Sequence, residues 1–265
     1  FTPGRRLLII GGGDIGLEAA AVGRQLGLDV TVLEMADRIM QRVAAPETSD
    51  YFRHLHQEHG VTIRESARMN RLIGEGNRVT GAALEDGETI AADLVLVGIG
   101  SIPNVELAEA AGLSVENGIA VDATCQTSDE NIYAAGDCTS FVRGGKRLRL
   151  ESVQNAADQG DLIARVIAGE DKTYQSLPWF WSDQYDCKLQ IAGLNQGYDA
   201  TVVRPGKDET SRSVWYYAGS ELIAVDAMND ARSYAFGRKV IGTGLNPAPD
   251  LIADPKTDLK LLAKK

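Results

Sequence analysis

Histidine and cysteine are scarce in this 265-residue chain, with three of each. Cys125, Cys138 and Cys187 form an odd set with no CxxC and no close pair. That pattern excludes a metal-binding or disulfide framework and suits a reducing cytoplasm. His54, His56 and His59 fall in one segment whose spacing puts them on a single surface helix, solvated, and no histidine follows Tyr174. Long apolar runs are lacking too. A run such as Leu94–Val97 is far too short to cross a bilayer. The N-terminus shows no basic region followed by an apolar core, so no signal peptide is expected. Positive charge is in deficit: the formal net charge is −10, which argues against non-specific binding to nucleic acid because its phosphates would be repelled. An initiating methionine is also lacking. Phe1 opens the chain and a strand follows almost at once, so an upstream portion of the natural chain is expected.

What is present reads as an ordinary globular protein, 44% hydrophobic and 24% charged, long enough for two domains or three small ones. Leu7–Ile10 is a continuous apolar run, as in a parallel strand covered on both faces. Asp14–Leu26 has a helical pattern with Ile15, Ala19, Val22 and Leu26 on one side, closed by Gly27. Asp29–Glu34 is the next strand. Pro46 suits the first turn of a second helix ended by Gly60, and Val61–Arg64 is a third strand. From Arg68 to Ile90 the period falls to two, with turns at Gly76-Asn77 and Asp86-Gly87, which predicts a small antiparallel meander. Ala92–Gly98 returns to a buried parallel strand. Further on, Asn131–Ala135 reads as a short strand and Val153–Ala168 as a helix. Beyond Tyr174, Ala200–Val203, Ser213–Tyr217 and Leu222–Ala227 predict an antiparallel sheet, with a helix over Ala231–Val240. The charged tail from Asp254 is a terminal helix or frayed. The fold class expected is α/β, Rossmann-like with a three-stranded meander, plus a C-terminal α+β domain.

Gly11, Gly13 and Gly16 form a GxGxxG between the first strand and the first helix, with Asp14 and Ile15 completing the loop. Gly11 allows the tight turn, Gly13 lets backbone approach a pyrophosphate, and Gly16 lets the helix pack close to the strand. The phosphates would rest on free N–H groups at the helix N-terminus. Glu34 ends the next strand, where its carboxylate can accept two hydrogen bonds from ribose hydroxyls and would repel a 2′-phosphate. NADH is therefore expected over NADPH. Arg38 either borders the adenosine phosphate or ribose, or is simply solvated.

A second motif runs from Thr127 to Asp137, where small residues lead to Ala134-Ala135-Gly136-Asp137. Together with Gly98-Ile99-Gly100-Ser101-Ile102-Pro103-Asn104 it resembles the two-dinucleotide-binding-domain flavoproteins. Glu151-Ser152-Val153-Gln154-Asn155-Ala156 and Pro178-Trp179-Phe180-Trp181-Ser182-Asp183-Gln184 narrow the resemblance to the oxygenase-coupled ferredoxin reductases that use FAD and NAD. It covers essentially the whole chain.

That resemblance implies an NADH domain over residues 1–98, the second segment of an FAD domain over 99–172, and a C-terminal reductase domain over 173–265. Gly98 and Gly100 would join Gly11, Gly13, Asp14, Ile15, Gly16 and Glu34 around NAD. Glu18 would lie near the nicotinamide carboxamide, unless it is a solvent-facing helix carboxylate. Toward FAD it implies Gly136, Asp137 on the ribityl chain, Glu151, and Val153 and Gln154 opening a helix aimed at the flavin pyrimidine. Trp181, with Trp179 beside it, would lie close to flavin or nicotinamide, or both are core aromatics. No side chain need act as acid or base, and no metal is implied. The partner would be an iron–sulfur ferredoxin, steered by the basic cluster Arg143, Lys146, Arg147 and Arg149, unless that cluster is only a solvated loop. A rubredoxin or nitrite reductase component, or an NADH-binding fragment without turnover, are the alternatives. One departure stands out: such reductases carry a first GxGxxG for the ADP half of FAD, and this chain has one such motif. The resemblance also argues against disulfide reductase chemistry: such enzymes use a close cysteine pair in the upstream segment together with a C-terminal histidine base, and no histidine follows Tyr174.

Overall fold

The computed structural model describes residues 2–263. The chain folds into two compact units, one made of residues up to Gly100 together with those from Trp181, the other Ser101–Phe180.

In the first unit β1 (Arg6–Ile10) leads through the glycine loop into α1 (Asp14–Gln25), followed by β2 (Asp29–Leu33), α2 (Pro46–Glu58) and β3 (Thr62–Arg64). After β4 (Met69–Glu75), β5 (Arg78–Leu84) and β6 (Thr89–Ala91), β7 (Leu94–Val97) closes a four-stranded sheet of order β3-β2-β1-β7. β1 pairs parallel with both β2 and β7. Its apolar run is covered twice. Leu7 and Ile9 pack with Ala20, Leu28, Val30 and Val32, while Leu8 and Ile10 face Leu33, Ala82, Leu84 and Ala92. The antiparallel meander β4-β5-β6 supplies Ala82 and Leu84 to that second face.

α1 starts and stops where its sequence pattern requires, yet its buried side differs from the expected stripe. Gly16, Leu17, Ala20, Ala21 and Gly23 are buried, whereas Ile15, Val22 and Leu26 are exposed. Small residues decide it. A Cβ on Gly23 would come 2.9 Å from Leu7 and 3.0 Å from Val30, so the helix lies on the sheet through its glycines, closer than its branched side chains permit.

The second unit holds α3 (Glu106–Ala110), β8 (Ile119–Ala120), β9 (Thr139–Arg143), β10 (Lys146–Leu148) and α4 (Val153–Ile167). The strand expected over Asn131–Ala135 does not form. That segment is extended with one isolated bridge, Tyr133 to Gln126, because Asp129 and Asn131 commit the chain to a turn in which Asn131 N–H donates to the Asp129 carboxylate at 2.8 Å.

The C-terminal residues build a five-stranded antiparallel sheet of order β11-β12-β15-β14-β13 from β11 (Trp179–Gln184), β12 (Cys187–Gly193), β13 (Ala200–Pro205), β14 (Arg212–Ala218) and β15 (Glu221–Met228). α5 (Ala231–Val240), N-capped by Asp230, packs on it, and the short helices α6 (Pro249–Ala253) and α7 (Leu259–Leu262) complete the described chain. The buried guanidinium of Arg204 staples the last loop by donating to the carbonyls of Ile252, Asp254, Pro255 and Thr257.

This sheet also buries a carboxyl group. Asp226 accepts from the hydroxyl of Tyr216 and from Thr48 Oγ1 at 2.7 Å, while Ala45 N–H donates to the Tyr216 oxygen at 2.8 Å, so β14 and β15 hold the start of α2. Burial pushes the Asp226 carboxyl up to about 7. None of the helices among the described residues is long and apolar enough to cross a membrane.

Candidate dinucleotide-binding ends

The glycine loop takes its shape from three separate constraints. Gly11 has φ +108°, and a Cβ there would lie 2.2 Å from the Gly98 carbonyl oxygen. Gly16 would drive a Cβ to 2.0 Å from the Gly11 carbonyl oxygen. Gly13 is different: a Cβ would meet nothing within 4 Å. It is also the N-cap of α1 and offers no side-chain cap to the first-turn N–H groups. Open space in front of uncapped amides fits a phosphate. Asp14 opens the helix there, its carboxylate complementing the dipole that a phosphate would also use.

Glu34 is held rather than free. Its Oε2 accepts Gly12 N–H at 2.7 Å and its Oε1 accepts Ala36 N–H at 2.7 Å. Each oxygen keeps a lone pair for a sugar hydroxyl. The carboxylate therefore does two jobs, fixing the loop and presenting a negative edge. Arg38 spends a nitrogen on Ser49 Oγ at 2.6 Å, which places it within the fold. Gly98 meets Gly11 directly, and Gly100, at φ +104°, lies against Arg42. Ile15 is exposed beside the loop.

Glu18 is not simply solvent-facing. Its Oε1 accepts from the buried hydroxyl of Ser182 at 2.6 Å. Trp181 stands next in β11 and is 38% exposed. The three histidines divide. His54 is exposed beside Glu58 and His59 stacks on Tyr185, but His56 is fully buried and bonded to Gln184. The expectation of three solvated histidines fails because α2 is covered on the His56 side by residues 182–185 of the distant β11 segment. Burial lowers the His56 pKa to about 4, so the ring is neutral near pH 7.

In the second unit Gly136, at φ +85°, makes the turn before Asp137, and its N–H donates to Gln159 Oε1 at 2.7 Å. Thr139 Oγ1 donates to the same oxygen at 3.0 Å. Asp137 is exposed. α4 begins at Val153, itself 70% exposed, and Ser152 caps it by accepting Asn155 N–H at 3.1 Å. Val153 and Gln154 N–H lie ahead of that capped amide, and Gln154 donates to Asp158. Glu151 pairs with Arg149 at 2.6 Å. An exposed carboxylate on a fixed turn and an exposed helix start fit part of a dinucleotide flavin.

The basic cluster is mostly spent. Arg143 donates to Ser176 O, Arg147 pairs with Glu116 and donates to Ser140 O, and Arg149 pairs with Glu151. Lys146 is exposed on the β9–β10 hairpin. Burial pushes the thiols of Cys125 and Cys187 up to about 11, so neither is a ready nucleophile.

Sequence reasoning missed the buried roles of Ser182, Gln184, His56 and Gln159. The signal that could have found them is a polar residue on a face that otherwise buries apolar ones, such as Asn155 and Gln159 beside Leu162 on α4.

A family model described as pyridine nucleotide-disulphide oxidoreductase matches residues 2–160, and one described as reductase C-terminal matches 179–263. Rhodocoxin reductase of Rhodococcus erythropolis is 45% identical over 257 residues, covering 96% of this chain and 60% of that protein. Putidaredoxin reductase of Pseudomonas putida is 41% identical over 259 residues, covering 96% and 61%. A crystal structure of a ferredoxin reductase from Rhodopseudomonas palustris matches with a TM-score of 0.95 at 46% identity, covering 98% of this chain and 65% of that one. The chain thus spans about three-fifths of the length of these curated relatives.

Proposed function

This chain belongs to the pyridine nucleotide-disulphide oxidoreductase family, and from that premise we propose that it works in a flavoprotein that takes hydride from NADH and passes single electrons to a ferredoxin serving an oxygenase or P450. The proposed division assigns residues 1–98 to NADH, 99–172 to part of the FAD domain and 173–265 to the C-terminal reductase domain.

When bound, NADH and FAD supply the hydride and one-electron chemistry. The residues of this chain bind and orient. The α1 N–H groups and Gly13 receive the pyrophosphate. Glu34 receives the adenine ribose and disfavours a 2′-phosphate, which supports NADH over NADPH. Glu18 and Trp181 serve the nicotinamide end. Asp137 takes the ribityl chain, and the start of α4, after Glu151, favours negative charge on the flavin pyrimidine at Val153 and Gln154. Relatives named for rhodocoxin and putidaredoxin support an iron–sulfur ferredoxin as partner, as does a solved structure titled as a covalent putidaredoxin reductase–putidaredoxin complex. Steering by Arg143, Lys146, Arg147 and Arg149 narrows to Lys146 and the field of the others, since those arginines are already engaged.

One observation carries this reading: an uncapped helix mouth over open Gly13, locked to Glu34. Titration of NADH into the folded chain is expected to show binding, weakened at least about tenfold by Glu34→Ala. Failure to bind, or equal binding after the substitution, would refute it. NADH-driven ferricyanide reduction with added FAD separates turnover from binding alone.

A further inference from the structure

Behind Glu18 runs a chain of side chains that no dinucleotide motif requires. Ser182 Oγ donates to Glu18 Oε1 at 2.6 Å, Gln184 Nε2 donates to Ser182 Oγ at 3.1 Å, and His56 Nε2 lies 2.8 Å from Gln184 Oε1. The Tyr185 hydroxyl lies 3.3 Å from His56 Nδ1. Ser182, Gln184 and His56 are each fully buried.

The donors can be arranged in only one direction. Ser182 has a single proton, and Glu18 is an acceptor, so the hydroxyl points to Glu18 and must accept from Gln184. The Gln184 amide then presents its oxygen to His56, whose neutral ring carries its proton on Nε2 and accepts from Tyr185 on Nδ1. Every bond thus donates toward the carboxylate, and bonds aligned in this way polarise one another. Glu18 follows Asp14 by one helical turn, and helical side chains lean toward the N-terminus, so its carboxylate lies back toward the glycine loop. Among the described residues its Oε2 makes no hydrogen bond, which leaves it to a ligand. Three buried polar side chains are a costly way to hold a strand against a helix, since apolar residues would do that without any need for partners.

We propose that Ser182, backed by Gln184 and His56, is a positioning residue that fixes the Glu18 carboxylate for the carboxamide of bound nicotinamide. This rests on reading the α1 mouth as the NADH site, and the test separates the two. Binding of NADH and of ADP-ribose, which lacks nicotinamide, is measured for the full chain, with thermal melting to verify folding. Ser182→Ala is expected to weaken NADH about fivefold, the equivalent of one ordinary hydrogen bond, and to leave ADP-ribose unchanged. In a Glu18→Ala background it adds nothing, and Ser182→Thr, which keeps the hydroxyl, restores affinity. Should Ser182→Ala not fold, Gln184→Met carries the same prediction at about twofold, because the hydroxyl then loses its fixed orientation. Parallel weakening of both ligands, no change in NADH, or an effect that persists without Glu18 would overturn the positioning role. NADH binding no tighter than ADP-ribose to the unsubstituted chain would overturn it too while leaving the dinucleotide site standing. Failure of both ligands to bind would remove the site itself.

Discussion

Two helix mouths face the solvent in this chain, and they are built differently. α1 opens on a glycine with no side chain to cap it, whereas α4 opens on Ser152, whose hydroxyl already takes the Asn155 N–H. The carboxylates differ in the opposite sense. Glu34 is locked by two backbone N–H groups, while the Asp137 side chain makes no hydrogen bond among the described residues and only its turn is held, through Gln159. The first mouth therefore has its amides free and its acid fixed, so it is pre-organised for a ligand. The second has its amides partly used and its acid loose, so it completes its geometry only with a partner. On the proposed reading, the first mouth would be a whole site for one dinucleotide and the second a portion of a site for another.

The sharpest way to break this distinction is through the glycines. Gly16→Ala forces a Cβ against backbone and is expected to cost about 3 kcal/mol of stability and abolish NADH binding. Gly13→Ala enters open space and loses only a glycine N-cap, about 1 kcal/mol, so thermal melting should move far less than for Gly16→Ala while NADH affinity falls at least about tenfold. If Gly13→Ala bound NADH as tightly as the unsubstituted chain, the open space at Gly13 would have no ligand role.

Acid distinguishes the units next. The α4 unit has no histidine, whereas the α1 unit buries neutral His56, whose pKa of about 4 lies below the ordinary 6.5. The unfolded chain takes this proton first as pH falls, so stability is lost between about 6.5 and about 4, by roughly 3 kcal/mol. His56→Gln should flatten that loss in denaturant unfolding followed against pH. Asp226 works in reverse. Its carboxyl, raised from 3.8 to about 7, keeps a proton that the unfolded chain has released, so stability falls as pH rises through that window. Asp226→Asn should remove this second slope, and a single unchanged profile for both variants would contradict the assignments.

The two acids give a smaller contrast. Glu34→Ala should lower the melting temperature as well as NADH affinity. Asp137→Ala should leave stability within about 0.5 kcal/mol and affect only flavin retention. Smallest is Asp14→Asn, which removes a carboxylate from the helix mouth proposed for the phosphates. NADH should bind about threefold tighter, with the gain shrinking as salt rises.

Sequence patterns exposed most of the scaffold because the parallel strands bury both faces and the meander alternates. Local chemistry also exposed the glycine loop, since the glycine spacing between a strand and a helix is itself the signal, although the contact that confines Gly11 comes from distant Gly98 and Gly13 faces open space. What stayed hidden depended on residues far apart in sequence. Nothing near His56 announces that residues 182–185 cover it, and nothing near Glu18 announces Ser182. The true buried stripe of α1 was obscured for a related reason: glycines carry no hydrophobic signal, yet they set the closest approach. The misread strand at 131–135 shows small apolar residues outvoted by an Asp129-centred turn.

The α1 mouth and the fixed Glu34 carboxylate are proposed as the site for a dinucleotide that lacks a 2′-phosphate. Calorimetric titration of NADH and NADPH into the same preparation tests it most directly. NADH is expected to bind at least about tenfold tighter than NADPH. Equal affinity, a preference for NADPH, or no heat from either would contradict it.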